Sequence, residues 1–228
     1  MAKIKTTAMV SEIRNSVAGT TFSVNGYGAY IRTKVTPTNP QTSYQQAQRQ
    51  LLGALSSGWR SLTQAQRDAW DSAVGNFKQT DVFGDAQTLT GQTLYIMLNT
   101  NLSNAGEEVL DNPPSPQAIP AIAIAAVSAV VTGHVLTLTI DPVAIPAEHK
   151  LFVYATAPVS AGKSYLKNEM RLIVAGATAT AGVVTLTEDY ANRFGEFAAG
   201  LKIGVGILLV NSISGEAGVI VYDDVIAA

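Results

Sequence analysis

The sequence has no cysteine, which excludes disulfides, thiolate metal sites and cysteine nucleophiles. It has two histidines, His134 and His149, so imidazole acid–base chemistry has little to draw on. Charged residues make up 14% of the chain, against about 25% in an ordinary globular domain. Ala, Thr, Ser, Asn, Gln and Gly stand in their place. A surface short of charge fits large buried interfaces, whose cores are depleted in charge, and equally fits strands coated with Thr and Ser. Long apolar runs are missing too. The longest, Ala118 to Val131, is interrupted by Pro120 and Ser128 and is too short to cross a bilayer as a helix. The opening Met-Ala-Lys-Ile-Lys-Thr-Thr has no signal-peptide apolar region. The expectation is a soluble protein made in the cytoplasm.

The 228 residues suffice for one large domain or two small ones, and 47% hydrophobic content is enough for a core. The net charge of -2 is unevenly placed. Residues 1–67 hold eight basic residues against Glu12 alone, a net +7, while residues 68–112 hold Lys78 against seven acids, a net -6. Such asymmetry marks a nucleic-acid contact, head-to-tail packing between copies, or packing between helices.

The stretch from Phe22 to Trp70 organises the chain. Residues 1–20 show no clean period and read as an extended arm. Phe22, Val24, Tyr30, Ile31 and Val35 are strand formers, and Asn25-Gly26 signals a hairpin, with Tyr27 and Gly28 extending its loop. Pro37 and Pro40 stop the strand, and Thr42 or Ser43 caps a helix over about 44–59. Thr63-Gln64-Ala65-Gln66 is a capping box for a second helix bearing Ala69, Trp70, Ala73 and Phe77 on one side. Trp59 and Trp70 are expected in one small core. A turn-rich link over 80–88 leads to a third helix, 91–104, capped by Thr90 and ended by Gly106.

Asp111-Asn112-Pro113-Pro114-Ser115-Pro116 reads as a stiff extended linker. Beyond it the period becomes two. Strands are expected near 122–131, 134–141, 149–156, 169–175, 182–187, 201–210 and 218–224, with turns at Thr132-Gly133, Asp141-Pro142, Ala181-Gly182 and Ser214-Gly215. Seven short strands indicate an immunoglobulin-like or fibronectin-like sandwich, without the Cys-Trp-Cys hallmark. The fold class is therefore α+β: an N-terminal arm, ribbon and helical docking domain (1–111), a Pro-rich linker (112–121) and a β-sandwich domain (122–228).

Motifs that carry chemistry are incomplete. Ser160-Ala161-Gly162-Lys163-Ser164 ends like a P-loop but has Ala157 where the first Gly belongs and no helix signal after Ser164. Gly204-Val205-Gly206 lacks a third Gly and sits in a strand pattern. Glu188-Asp189 and Asp223-Asp224 read as solvated turn residues rather than cation ligands. No nucleophile elbow or zinc-protease motif occurs. No cofactor, metal or small-molecule ligand is expected, and no enzymatic activity.

Residues 1–115 resemble a group of uncharacterised proteins encoded by tailed bacteriophages and prophages, often near virion structural genes. The resemblance rests on Gly19, Phe22, Ser23, Gly28, Tyr30 and Arg32; on Pro37, Asn39, Pro40, Thr42, Gln46 and Arg49; and on Trp59, Leu62, Thr63, Gln66, Arg67 and Trp70. Thr90-Gly91-Gln92, Asn99 and Pro113-Pro114 extend it, and the C-terminal half is similar to β-domains attached to such proteins. The resemblance implies a virion component, capsid-associated (decoration) or tail-associated, with copies of itself and other virion proteins as partners. Candidate docking residues are Phe22, Tyr27, Tyr30, Arg32, Lys34, Arg49, Trp59 and Arg67. The alternatives are a host-surface or glycan-binding module, drawing on Tyr154, Tyr165, Tyr190, Phe194 and Phe197, or nucleic-acid binding through residues 1–67.

Overall fold

The computed structural model describes residues 2–3, 13–25, 28–36, 38–77, 79–80, 86–87, 89–141, 145–177 and 179–228. Gly26, Tyr27, Pro37, Pro142 and the arm segment 4–12, on which expectations fell, lie outside the described residues. The chain is a mixed α+β protein with two compact units, Met1–Gln46 and Ala47–Ala228. This division differs from the boundary expected at 112–121, for reasons that lie in the packing of the larger unit.

The smaller unit is a four-stranded antiparallel sheet of β1 (Ala2–Lys3), β2 (Asn15–Val17), β3 (Thr20–Asn25) and β4 (Gly28–Thr33), in the order β1-β4-β3-β2. The first residues of the arm thus pair with the chain's own ribbon, Ala2 with Ile31 and Lys3 with Tyr30. Asn25 pairs with Gly28, so both are strand residues rather than part of the expected loop. At the other end Val17 pairs with Thr20 across Ala18 and Gly19, whose φ values are 45° and 78°. Positive φ at both central residues is the reverse turn that matches strand twist.

In the larger unit, α1 (Ser43–Ser61), which starts in the smaller one, α2 (Gln64–Ala73) and α3 (Gly91–Ala105) build a core of Leu55, Leu62, Trp70, Phe77, Leu94, Tyr95 and Leu98. The caps are as the sequence indicates. Thr42 Oγ1 accepts from the Gln45 N–H, Thr63 and Gln66 form a reciprocal capping box, Thr90 caps α3, and Gly106 ends it at φ 79°. Tyr95 stands between the two tryptophans, its ring 5.5 Å from Trp59 and 5.4 Å from Trp70. A short ladder joins β5 (Gln79–Thr80) to β6 (Ala86–Gln87) between α2 and α3.

The remaining strands are β7 (Ala123–Val130), β8 (Val135–Asp141), β9 (His149–Ala155), the two-residue β10 (Val159–Ser160), β11 (Arg171–Ala177), β12 (Val183–Thr185), β13 (Leu201–Asn211) and β14 (Val221–Ile226). One antiparallel sheet runs β7-β8-β12; the other runs β11-β9-β13-β14, with β10 extending the β9 side. Leu136, Leu138, Ile140 and Val184 from the first sheet and Leu151, Val153, Ile203, Val205, Ile207 and Leu209 from the second share one core. A helix absent from the expected elements, α4 (Thr187–Phe194), joins β12 to β13 and plugs the core with Tyr190. Tyr190 Oη donates to the Thr156 carbonyl at 3.0 Å, and Thr156 Oγ1 accepts from the Gly204 N–H.

Strand β13 is buried from Ile203 to Asn211 on both faces. On its outer face, Leu208 and Val210 pack with Phe152 against Ala105 at the end of α3. Gly204 and Gly206 leave room there for Leu166, Met170 and Tyr222. The helical layer is therefore the second cover of the sheet. Asn101 Nδ2 donates to the Gly215 carbonyl at 2.8 Å, and a Cβ on Gly215, which has φ 74°, would lie 2.3 Å from the Leu98 carbonyl oxygen. The Pro-rich segment is extended but tied down. Asn99 clamps Leu110 through both its N–H and its C=O, Trp70 Nε1 donates to the Asp111 carbonyl, and the Gln117 N–H donates to Glu216.

Two glycines test this packing. Gly215→Ala combines a left-handed backbone with a backbone clash and is expected to lower stability by about 2–5 kcal/mol. Gly53→Ala, at a helix position where an added Cβ meets nothing within 4 Å, is expected to raise it by about 1 kcal/mol. Urea midpoints of the two variants against the parent chain are the check.

Candidate functional site

The N-terminal sheet carries the candidate surface. Side chains alternate along a strand, and cross-strand partners share a face. Phe22 pairs with Ile31, Val24 with Ala29 and Val17 with Thr20, so Val17, Phe22, Val24, Ala29 and Ile31 line one face. Ser16 pairs with Thr21, Thr21 with Arg32, and Ser23 with Tyr30, which puts hydroxyls and the guanidinium on the other. Ser16 and Thr21 hydroxyls lie 2.9 Å apart there. No described residue of Met1–Gln46 is fully buried; Val17 is 64% and Val24 40% exposed. A sheet whose apolar face keeps Val17 and Val24 exposed offers a candidate binding surface, since sheets gain stability when such a face is covered.

The eight candidate docking residues do not form one patch. Phe22 lies on the apolar face, while Tyr30 and Arg32 lie on the opposite one. Lys34 follows β4, its N–H donating to the Gly19 carbonyl at 2.7 Å, and Tyr27 is outside the described residues. Arg49 is on the exposed side of α1. Trp59 is half-buried against Tyr95. Arg67 donates from Nε and Nη2 to the Leu62 carbonyl, and Arg60 Nε donates to that of Ser56. These two cations cap helix ends, where positive charge is favourable.

The chemistry-bearing motifs resolve into structure. Lys163 of the P-loop-like run pairs with Glu169, and Ser164 is followed by a three-residue 3-10 helix, Lys167–Glu169, rather than by an α-helix. Gly204 and Gly206 are strand residues packed by Met170. The two acidic pairs are not turn residues, contrary to the sequence reading. Glu188 and Asp189 occupy the first turn of α4, where the helix dipole favours them, and Asp223 and Asp224 lie on β14. Asp224 pairs with Lys202 at 3.0 Å. His134 meets the Phe197 carbonyl and Glu196, whereas both ring nitrogens of His149 are buried without a partner beside a cleft of about 270 Å³. Among the described residues no three His, Asp or Glu side chains are grouped to hold a metal ion, and no helix is long and apolar enough to cross a membrane. Of the five aromatics weighed for a recognition surface, Tyr190 and Phe197 are buried and Phe194 and Tyr154 pack at the core margins; Tyr165 is 63% exposed.

Comparison with known family profiles finds no match, and comparison with curated proteins finds none. Among solved structures, a Fn3-like protein from Clostridium thermocellum is similar at TM-score 0.30 and 19% identity, over 49% of this chain and 94% of that one. A likeness of that size carries no argument about function.

Burial pushes the Tyr190 phenol well above its ordinary range; Tyr95 is raised by burial first and by the Asp111 carboxylate second. Both phenols stay protonated in the folded chain at a pH where the unfolded chain ionises them. Stability is therefore full below about pH 10 and falls as pH rises beyond it. Tyr190→Phe is expected to cost about 1 kcal/mol at neutral pH through the lost hydrogen bond, yet to lose less stability than the parent between about pH 9 and 11. Denaturation midpoints across that range measure both effects.

Proposed function

We propose that the chain is a non-enzymatic structural component of a bacteriophage virion, capsid-associated or tail-associated, that works through protein–protein contacts. The observation that carries this reading is the N-terminal sheet. It is a separate compact unit with an apolar face, and none of its described side chains is fully buried. An element of that kind is finished by a partner rather than by its own chain. The resemblance of residues 1–115 to phage-encoded proteins supplies the setting.

The two-sheet body fits this role as an immunoglobulin-like sandwich. Its seven principal strands place the first, second and fifth in one sheet and the fourth, third, sixth and seventh in the other. In the constant-type immunoglobulin order the fourth strand sits beside the fifth; here it has moved beside the third. A rigid body of this kind serves as a projecting or lattice-stabilising module. The host-surface or glycan reading is less favoured because four of its five aromatics are used in packing. The nucleic-acid reading is less favoured because Arg60 and Arg67 serve backbone carbonyls.

Purified virions of a phage that encodes the chain provide the test. The chain is expected in washed particles at a fixed ratio to the major structural protein. A Val17→Lys/Val24→Lys variant is expected to be lost from them while still accumulating folded in the lysate. Absence of the parent chain from particles would overturn the assignment.

A further inference from the structure

We propose that the apolar face of the N-terminal sheet docks on the same face of a second copy of this chain, forming a two-fold sheet-on-sheet contact. Charge segregation is the first argument. The face made by Val17, Phe22, Val24, Ala29 and Ile31 is completed by Asn15, Thr20 and Thr33 and bears no charged side chain. The unit as a whole has Lys3, Lys5, Arg14, Arg32 and Lys34 against Glu12, a net +4. Arg32 is on the opposite face, with Tyr30. Two such sheets can meet through their apolar sides without bringing that cation into the contact.

Shape is the second argument. Two twisted sheets pack face to face at about 10 Å with strands roughly 30° apart. A surface that is uncharged and carries the Phe22 ring among aliphatic side chains can pack against a copy of itself, the condition for an isologous dimer. Area is the third, and it sets the strength. Two strands of six residues and one of three present roughly 240 Å², so the pair buries about 500 Å², about a third of a standard stable interface. The dimer is consequently weak alone, appears only at high concentration, and gains when copies are held side by side in an assembly. Both partners being cationic, added salt screens their repulsion and tightens the contact, opposite to the salt response of a nucleic-acid complex. The inference goes beyond the virion reading and does not need it.

Because the chain has no cysteine, single thiols can be placed at will. Full-length Val17→Cys, Val24→Cys and Ala29→Cys variants are treated with a short bifunctional thiol reagent, alongside Thr21→Cys and Ser23→Cys on the opposite face. The first three are expected to give covalent dimers that increase with protein concentration and with salt, and the last two only a trace. The exposed-site variant Val24→Lys is expected to sediment as a monomer at concentrations where the parent associates. No dimer from any of the first three, equal yields from both faces, or undiminished association of Val24→Lys would each overturn the proposal.

Discussion

A strand that is apolar on both sides needs two covers, and the larger unit is arranged to provide them for β13. Its inner face faces β7, β8 and β12 across a shared core. Its outer face is closed by the end of α3 and by the Leu166–Met170 segment, which settles over two glycines. Each buried aliphatic side chain contributes about 1.5–3 kcal/mol, so the outer cover is part of the fold rather than an appended layer. The Asn211–Gly215 turn shows the same dependence at atomic scale. Asn211 Oδ1 organises it by accepting from the Ile213 and Ser214 N–H groups, and α3 lies so close that a Cβ at Gly215 would strike its backbone.

The N-terminal sheet buries far less of its surface. It has four strands in register and an amphipathic alternation, yet none of its described side chains is fully buried. It also holds Ala18 in a left-handed conformation that costs a non-glycine residue about 1–2 kcal/mol. A sheet that carries such strain and buries so little is marginal by itself, and contact with a partner stabilises it by covering the apolar face. The contrast between a doubly covered strand and a sheet that leaves Val17 and Val24 exposed is the physical basis for the proposed role in assembly.

Much of this was legible in the sequence. The helix caps at Thr42, Thr63, Thr90 and Gly106 and the seven strands of the two-sheet body follow local rules of side-chain hydrogen bonding and alternation, and these survive folding. What was not legible depends on tertiary contact. The proline-rich segment reads as a linker because prolines stiffen any chain, but Asn99, Trp70 and Glu216, distant in sequence, hold it to the body. The turn Ala18-Gly19 lacks the Asn or Asp that announces a reverse hairpin, so by local signals β2 is indistinguishable from an extended arm. Helix α4 was hidden by its shortness, although Glu188 and Asp189 at its start, Arg193 in its last turn and Gly195 beyond could have marked it. The docking residues were chosen along one stretch, and only the register reveals that Phe22 and Tyr30 point to opposite sides.

The larger unit buries a core of its own, and the N-terminal sheet is proposed to be completed by contact. Hydrogen exchange of the full chain, followed by peptide from dilute to concentrated solution, tests it most directly. Slow exchange is expected for β9 and β13 at every concentration, with β3 and β4 exchanging fast in dilute solution and slowing as copies associate. Strong protection of β3 and β4 in a dilute monomer would contradict it, since the sheet would then already have all the cover it needs.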